Sequence, residues 1–241
     1  MSQLKPRSST EKNSTFRGAS NKPVWQSPIV LVSSSVGLAI LSMTLATSIT
    51  PRNITHIRGD DVSTSAKVLS LQRKQHCQIS TQFYQSGDTA IALPFANQPE
   101  KTSETTLSNS LSLLSQCQKD EILPTSIGQE PGTSLILALA KIQTIIANKR
   151  ALGSRQPFVV TITLQATEPG KHQPNPNDFQ YIKSLVESIT RDKSVIAIAG
   201  PMGQLQNNLE VVLKGLPNQR ICPANSVMTC VEWAFETGRK L

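Results

Sequence analysis

Asp61-Val62-Ser63-Thr64-Ser65 reads D-x-S-x-S and directly follows a short strand-like run, Ile54 to Arg58. Three oxygen side chains at alternate positions can converge where a strand gives way to a helix, and hard divalent cations such as Mg²⁺ take oxygen ligands. The stretch is therefore a candidate metal site. Ser and Thr are abundant in this chain, so the spacing acquires weight only from the elements around it. Two later features fall where the same crevice would lie: Gly132-Thr133 at the head of a helix, and Glu168 just past a buried strand.

Downstream, the apolar pattern alternates between two periods. Val68, Leu71 and Cys77 suggest a helix, and Ala90 to Phe95 a short apolar strand entered through Gly87-Asp88. Residues 97 to 105 read as polar loop, Leu107, Leu111 and Leu114 as a helix, and Pro124 to Gly132 as a second loop. Gly132-Thr133-Ser134 opens the strongest helix, with Leu135, Leu139, Ile142 and Ile146 on one face and Lys149-Arg150 at its carboxyl end. Phe158 to Leu164 is β-branched and apolar, as a buried central strand should be. It ends at Ala166-Thr167-Glu168-Pro169-Gly170. A helix through Phe179, Ile182, Leu185, Val186 and Ile189 follows, then a strand from Val195 to Ala199 closed by Gly200-Pro201-Met202-Gly203. Leu209, Val212, Leu213 and Leu216 mark a helix, Arg220 to Cys222 a last short strand, and Val231 to Phe235 a terminal helix.

Strands alternating with helices require a mostly parallel sheet covered on both faces, because each parallel return needs a crossover. Such sheets bind ligands at the carboxyl ends of their strands. The loops at Asp61 to Ser65, before Thr133, at Thr167 to Gly170 and at Gly200 to Gly203 are thus expected on one rim.

The amino-terminal region has a different solvent. Residues 1 to 27 are polar and basic and are expected to form a disordered cytoplasmic tail. Residues 28 to 50 are expected to form a transmembrane helix: Ile29 to Thr50 is 22 residues without a charge, bounded by Lys22 and Arg52, and about 20 suffice to cross the hydrocarbon core. The alternatives are a cleaved signal peptide, with Ala46-Thr47-Ser48 as a small-residue site, and a buried helix. Five basic residues precede the span, against Arg52 and Arg58 just after it, so the amino terminus is placed in the cytoplasm. The domain at 53 to 238 is then extracytoplasmic.

Of the net charge of +8, residues 1 to 50 carry five basic residues against Glu11, or +4; the remainder carries 19 basic and 15 acidic residues, also +4. With aromatics at only 4% there is no basic stripe interleaved with stacking groups. A nucleic-acid partner is not expected. Cys77, Cys117, Cys222 and Cys230 match no zinc spacing. Outside the cytoplasm they are free to pair, Cys222 with Cys230 and Cys77 with Cys117; buried thiols are the alternative. No G-x-S-x-G elbow occurs, and none of His56, His76 and His172 has a recognisable acid or nucleophile beside it in sequence, so an enzyme is not expected. Arg58-Gly59-Asp60 reads as a chance match to a receptor tripeptide.

D61-V-S63-T-S65, a later G132-T133-S-L and a buried strand ending in T167-E168-P-G resemble the metal-ion-dependent adhesion site of von Willebrand factor type A domains. The resemblance spans roughly residues 53 to 238. It implies a doubly wound, Rossmann-like α/β fold, with Ser63, Ser65 and Thr133 as direct Mg²⁺ ligands and Asp61 and Glu168 acting through water. It also implies a protein or peptide partner that completes the metal shell with a carboxylate. The family's first strand is apolar where Ile54 to Arg58 is half polar, and Glu168 stands where the family has Asp. The function expected is a membrane-anchored, Mg²⁺-dependent binding module. The alternatives are a metal-free scaffold domain on a membrane protein and an extracytoplasmic hydrolase of unrecognised site.

Overall fold

The middle strand of the sheet is β1, Thr55–Asp61, and all seven of its residues are buried. It is flanked on one side by β2 (Thr89–Phe95) and on the other by β4 (Phe158–Thr163), parallel to both. Beyond β2 lies β3 (Ser103–Thr106), and beyond β4 lie β5 (Ser194–Ala199) and β6 (Gln219–Cys222). The order is β3-β2-β1-β4-β5-β6, with β3 alone antiparallel to its neighbour. Among the described residues five α-helices accompany these strands: α1 (Ser70–Thr81), α2 (Leu135–Ala151), α3 (Pro176–Thr190), α4 (Gly203–Leu213) and α5 (Val227–Lys240). A computed structural model describes residues 52–63, 70–107, 117, 134–164, 176–191, 193–201 and 203–241. The chain divides into two units, 1–50 and 51–241, and every described residue belongs to the second. The expected tail and span, and the helix through Leu111 and Leu114, lie outside them. Among the described residues no helix is long and apolar enough to cross a membrane.

Alternation of side chains along each strand divides the sheet into two faces. Ile57 stands in register with Ile91 and Val160, and Val160 with Ile196. This row joins Leu139 and Ile142 of α2, Ile182 and Val186 of α3, and Leu209 and Leu213 of α4 in one core. On the other face Val159, Val195 and Ala197 pack under Val231, Ala234 and Phe235 of α5. Gly238 is what allows α5 to lie so close: a Cβ there would sit 2.3 Å from Val159 Cγ2.

Two strand boundaries differ from the sequence reading. β1 continues past Arg58 through Gly59, Asp60 and Asp61, because neighbours on both sides supply a full hydrogen-bond ladder to a polar stretch. The Arg58-Gly59-Asp60 tripeptide is consequently buried in the sheet and out of a receptor's reach. β3 arises inside the expected loop at 97–105; as an edge strand of sequence Ser-Glu-Thr-Thr it is held by backbone pairing and has no apolar alternation to read.

Both expected disulfides form. Cys77–Cys117 ties α1 to the segment around residue 117, and Cys222–Cys230 ties the end of β6 to α5, with Cα separations of 5.7 and 6.0 Å. At the opposite end of the sheet the buried carboxylate of Asp88 accepts the N–H groups of Ile54 and Gln85 and a 2.6 Å bond from Arg239 Nη2. Arg239 also donates to the Arg52 and Phe83 carbonyls. One ion pair thereby fastens the start of β1, the turn before β2 and the end of α5.

Replacing Gly238 with Ala tests the α5 packing. A helical Gly→Ala change ordinarily stabilises by up to about 1 kcal/mol, whereas forcing a methyl into a packed core costs about 1–3 kcal/mol. Val159 is β-branched and stiff, so a net loss of about 1–2 kcal/mol is expected in denaturant unfolding; a gain would show that α5 is loosely seated.

Candidate functional site

The chain turns to opposite sides of β1 in passing to β2 and to β4, so the carboxyl ends of β1 and β4 form the topological switch point where ligands bind in sheets of this type. Asp61 is the last residue of β1 and Ser63 follows it; both are buried. The Ser63 N–H donates to Asp61 Oδ1 at 3.0 Å, a local turn that fixes the carboxylate at the strand end. Val62 N–H bonds the Phe95 carbonyl at 2.8 Å, and Ser134 N–H bonds the next carbonyl, Ala96, also at 2.8 Å. The residues flanking Ser63 and Thr133 are therefore held on consecutive carbonyls at the end of β2. Ser134 caps α2, its Oγ accepting the Leu137 N–H. Across the switch point, Leu164 N–H bonds Ala199 O and Gly200 N–H bonds Cys222 O. Gly200 has φ +94°, and a Cβ there would meet the Leu164 carbonyl at 2.4 Å. Ser65, Thr133 and Glu168 lie outside the described residues. The donors described, one carboxylate and one hydroxyl, are hard oxygens and suit a cation such as Mg²⁺. Among the described residues no three His, Cys, Asp or Glu side chains gather as ligands; a hydroxyl-based set is of a different kind.

Beneath this rim, on the face covered by α1 and α5, lies a polar network that the sequence reading missed. Asp60 Oδ2 accepts from Arg58 Nε at 2.6 Å, and Asp60 Oδ1 is 2.7 Å from His76 Nδ1. His76 Nε2 and His56 Nε2 lie 2.8 and 2.7 Å from Thr161 Oγ1, and His56 Nδ1 lies 2.5 Å from the Tyr84 hydroxyl. With Asp60 ionised, His76 Nδ1 donates to it, because a carboxylate only accepts; the directions of the bonds at Thr161 Oγ1 and at the Tyr84 hydroxyl follow the protonation of the two rings. Thr163 Oγ1 stands near Asp60 and the Gly59 carbonyl.

Burial alone would raise the Asp60 pKa, but the Arg58 guanidinium and His76 outweigh it and hold the carboxyl far below the usual range. Burial, reinforced by His76 and Arg58 and opposed by Asp60, pushes His56 well below an ordinary imidazole. His76 thus has an acid neighbour after all, 16 residues away in sequence. Asp60, His76 and Thr161 even stand in the order of a hydrolytic triad. Yet His76 is 0% and Thr161 2% exposed, so no substrate reaches the hydroxyl. The signal that could have revealed the network is His56-x-Arg58-x-Asp60, three polar side chains on one face of a strand that the topology places centrally.

No family model matches the chain, and no curated protein matches it. Solved structures do. A von Willebrand factor type A protein from Catenulispora acidiphila superposes with a TM-score of 0.51 at 11% identity, over 78% of this chain and 42% of that one. Proximal thread matrix protein 1 of the mussel byssus gives 0.53 at 13%, over 78% and 48%. An aerotolerance-related membrane protein from Bacteroides fragilis gives 0.54 at 12%, over 78% of this chain and 100% of that one. The chain spans under half the length of the first two. At these identities the likeness is one of fold, and the fold is von Willebrand factor type A-like.

The network makes stability pH-dependent, with a definite sign. His56 and Asp60 both have folded pKa values below their unfolded ones, so both contribute stability that is present above the unfolded value and is lost as pH falls below it. The loss begins below about 6.5 for His56 and adds Asp60 below about 3.9, at no more than about 1.4 kcal/mol per pH unit for each proton. In urea unfolding, the stability difference between wild type and His56→Gln should shrink as pH drops from 7 to 5; a difference independent of pH would contradict a neutral, buried His56.

Proposed function

We propose that the chain is a membrane-anchored binding module of the type A kind, which captures a protein or peptide partner through a Mg²⁺-coordinated carboxylate. Ser63, Ser65 and Thr133 would hold the cation directly, and Asp61 and Glu168 through water. The observation that carries the reading is the docking of Val62 and Ser134 on the consecutive carbonyls of Phe95 and Ala96, which draws the two flanking segments to one edge of the switch point. When bound, Mg²⁺ supplies a hard centre whose charge hydroxyl ligands leave largely uncompensated, so that an outside carboxylate is attracted. The protein's part is to present those oxygens from a rigid strand end.

Anchoring through residues 28–50, with the amino terminus in the cytoplasm and the domain outside, is supported by the uncharged run of 22 residues and its basic leader. Two disulfides suit a domain outside the reducing cytoplasm. The Bacteroides fragilis structure with the same fold is itself described as a membrane protein. Binding is favoured over turnover because the Asp60-His76-Thr161 line is closed to solvent.

Mn²⁺ titrated into the purified full chain, read by electron paramagnetic resonance, tests the metal site. One ion displaceable by Mg²⁺ is expected, with Ser63→Ala weakening it at least tenfold while the unfolding midpoint is retained. Wild-type protein that takes up no Mn²⁺ would leave the metal-free scaffold as the better reading. Orientation is checked separately: a cysteine introduced beside Leu241 should be labelled from outside intact cells, and protection there would reverse the topology.

A further inference from the structure

The parallel strands begin, and the helices end, at the rim opposite the candidate metal site, and that rim is basic. Arg52 lies just before β1, Arg155 before β4, Arg191 and Lys193 before β5, Lys214 at the end of α4 and Lys240 at the end of α5; all six are exposed. In the same segments stand Asp192, outside the described residues, exposed Glu187, a turn before Arg191 on α3, and Glu236, a turn back along α5, and Arg52 Nη1 donates to the Leu241 oxygen at 2.8 Å. The carboxylate of Asp88 is buried there and consumed by Arg239. Lys149 is paired with Glu104.

Among these cations Leu152 is 84% exposed. Its exposure is built in. Leu152, Gly153 and Ser154 donate their N–H groups back to the Asn148, Arg150 and Lys149 carbonyls, and Arg150 Nη1 braces the turn by donating to the Ser154 and Gln156 carbonyls at 2.9 Å each. The Arg150 guanidinium rests 4.7 Å from the centre of the Phe158 ring. A favourable helix dipole accounts for a basic residue at a helix end. It does not account for a leucine held out on a braced turn.

We propose that this rim docks on the anionic headgroups of the membrane in which the chain is anchored, with Leu152 entering the interface and the surrounding Arg and Lys side chains meeting lipid phosphates. The inference rests on the reading of residues 28–50 as a span. Arg52 is two residues beyond Thr50, a reach of at most about 7 Å of extended chain, which is within the roughly 8–10 Å over which surface charge is felt at physiological salt. Cations at that distance from acidic lipid are attracted, and exposed apolar side chains among them, Leu152 and, in the last turn of α4, Val211, have the composition of an interfacial contact rather than of a nucleic-acid one.

All four native cysteines are paired, so a Leu152→Cys variant of the full chain offers one thiol for a polarity-sensitive dye. Reconstituted on phosphatidylcholine vesicles containing phosphatidylglycerol, the dye should shift to the blue. It should also be quenched by iodide about threefold less than a dye at Gln98→Cys on the far rim. Adding Arg155→Glu and Arg191→Glu, or raising the salt, should abolish that protection. Equal quenching at both positions while the chain stays on the vesicles through an alkaline carbonate wash would overturn the docking and leave the anchor standing. Protection at 152 followed by release in carbonate would uphold the docking and overturn the anchor.

Discussion

A carboxylate buried in the middle strand is the constraint around which the domain is arranged. Asp60 is 4% exposed and ionised, and an uncompensated charge in such a place costs several kcal/mol. Arg58, two residues away on the same face, answers one oxygen, and His76 answers the other. Because His76 is on α1, that contact seats the helix on the polar face of β1, while Ile79 of the same helix packs against the core under α5. Next to His76, Cys77 carries the bridge to Cys117, so the helix that must stay is also covalently held. α5 completes the enclosure: the His56 ring lies 4.7 Å from that of Phe235 and 5.4 Å from that of Tyr84, and Tyr84 and Phe235 meet edge to face.

The consecutive acids Asp60 and Asp61 have separate duties because neighbours on a strand point to opposite faces. Asp60 is spent on the core. Asp61, at the strand's end, caps Ser63 and belongs to the rim. A polar face on β1 therefore does not weaken the likeness to an apolar-stranded fold; it substitutes a satisfied hydrogen-bond chain for hydrocarbon, across the row where Arg58 faces Thr161 and Asp60 faces Thr163. Such a network specifies one register, since a slip of one residue would turn all three polar side chains of β1 into the Ile57 core.

Elements whose own periodicity states their burial were legible in the sequence. Phe158 to Leu164, Val195 to Ala199 and the faces of α2 and α3 all bury the residues named from their spacing. What escaped reading depends on partners distant in the chain. β3 is a strand because β2 lies beside it, and the reach of β1 to Asp61 is set by β2 and β4 together. His56, His76 and Thr161 meet across 105 and 85 residues of sequence, and no local pattern announces a contact made across a sheet. Of the site itself, the placement of Asp61 and Ser63 at the end of the central strand followed from the D-x-S-x-S spacing after a strand-like run. The docking of Ser134, the residue after Thr133, on the Ala96 carbonyl followed only from a tertiary hydrogen bond.

Parallel winding also separates the two ends of the domain by chemistry. Every strand but β3 delivers its carboxyl end to one rim, where side-chain oxygens and backbone turns collect; every helix delivers its carboxyl end to the other, where cations are favoured. Seven residues of β1 set these rims about 23 Å apart. At the amino-terminal end of the strands the buried Asp88-Arg239 pair fastens the start of β1 to the end of α5, so the two faces of the domain are joined there by an ion pair as well as by packing.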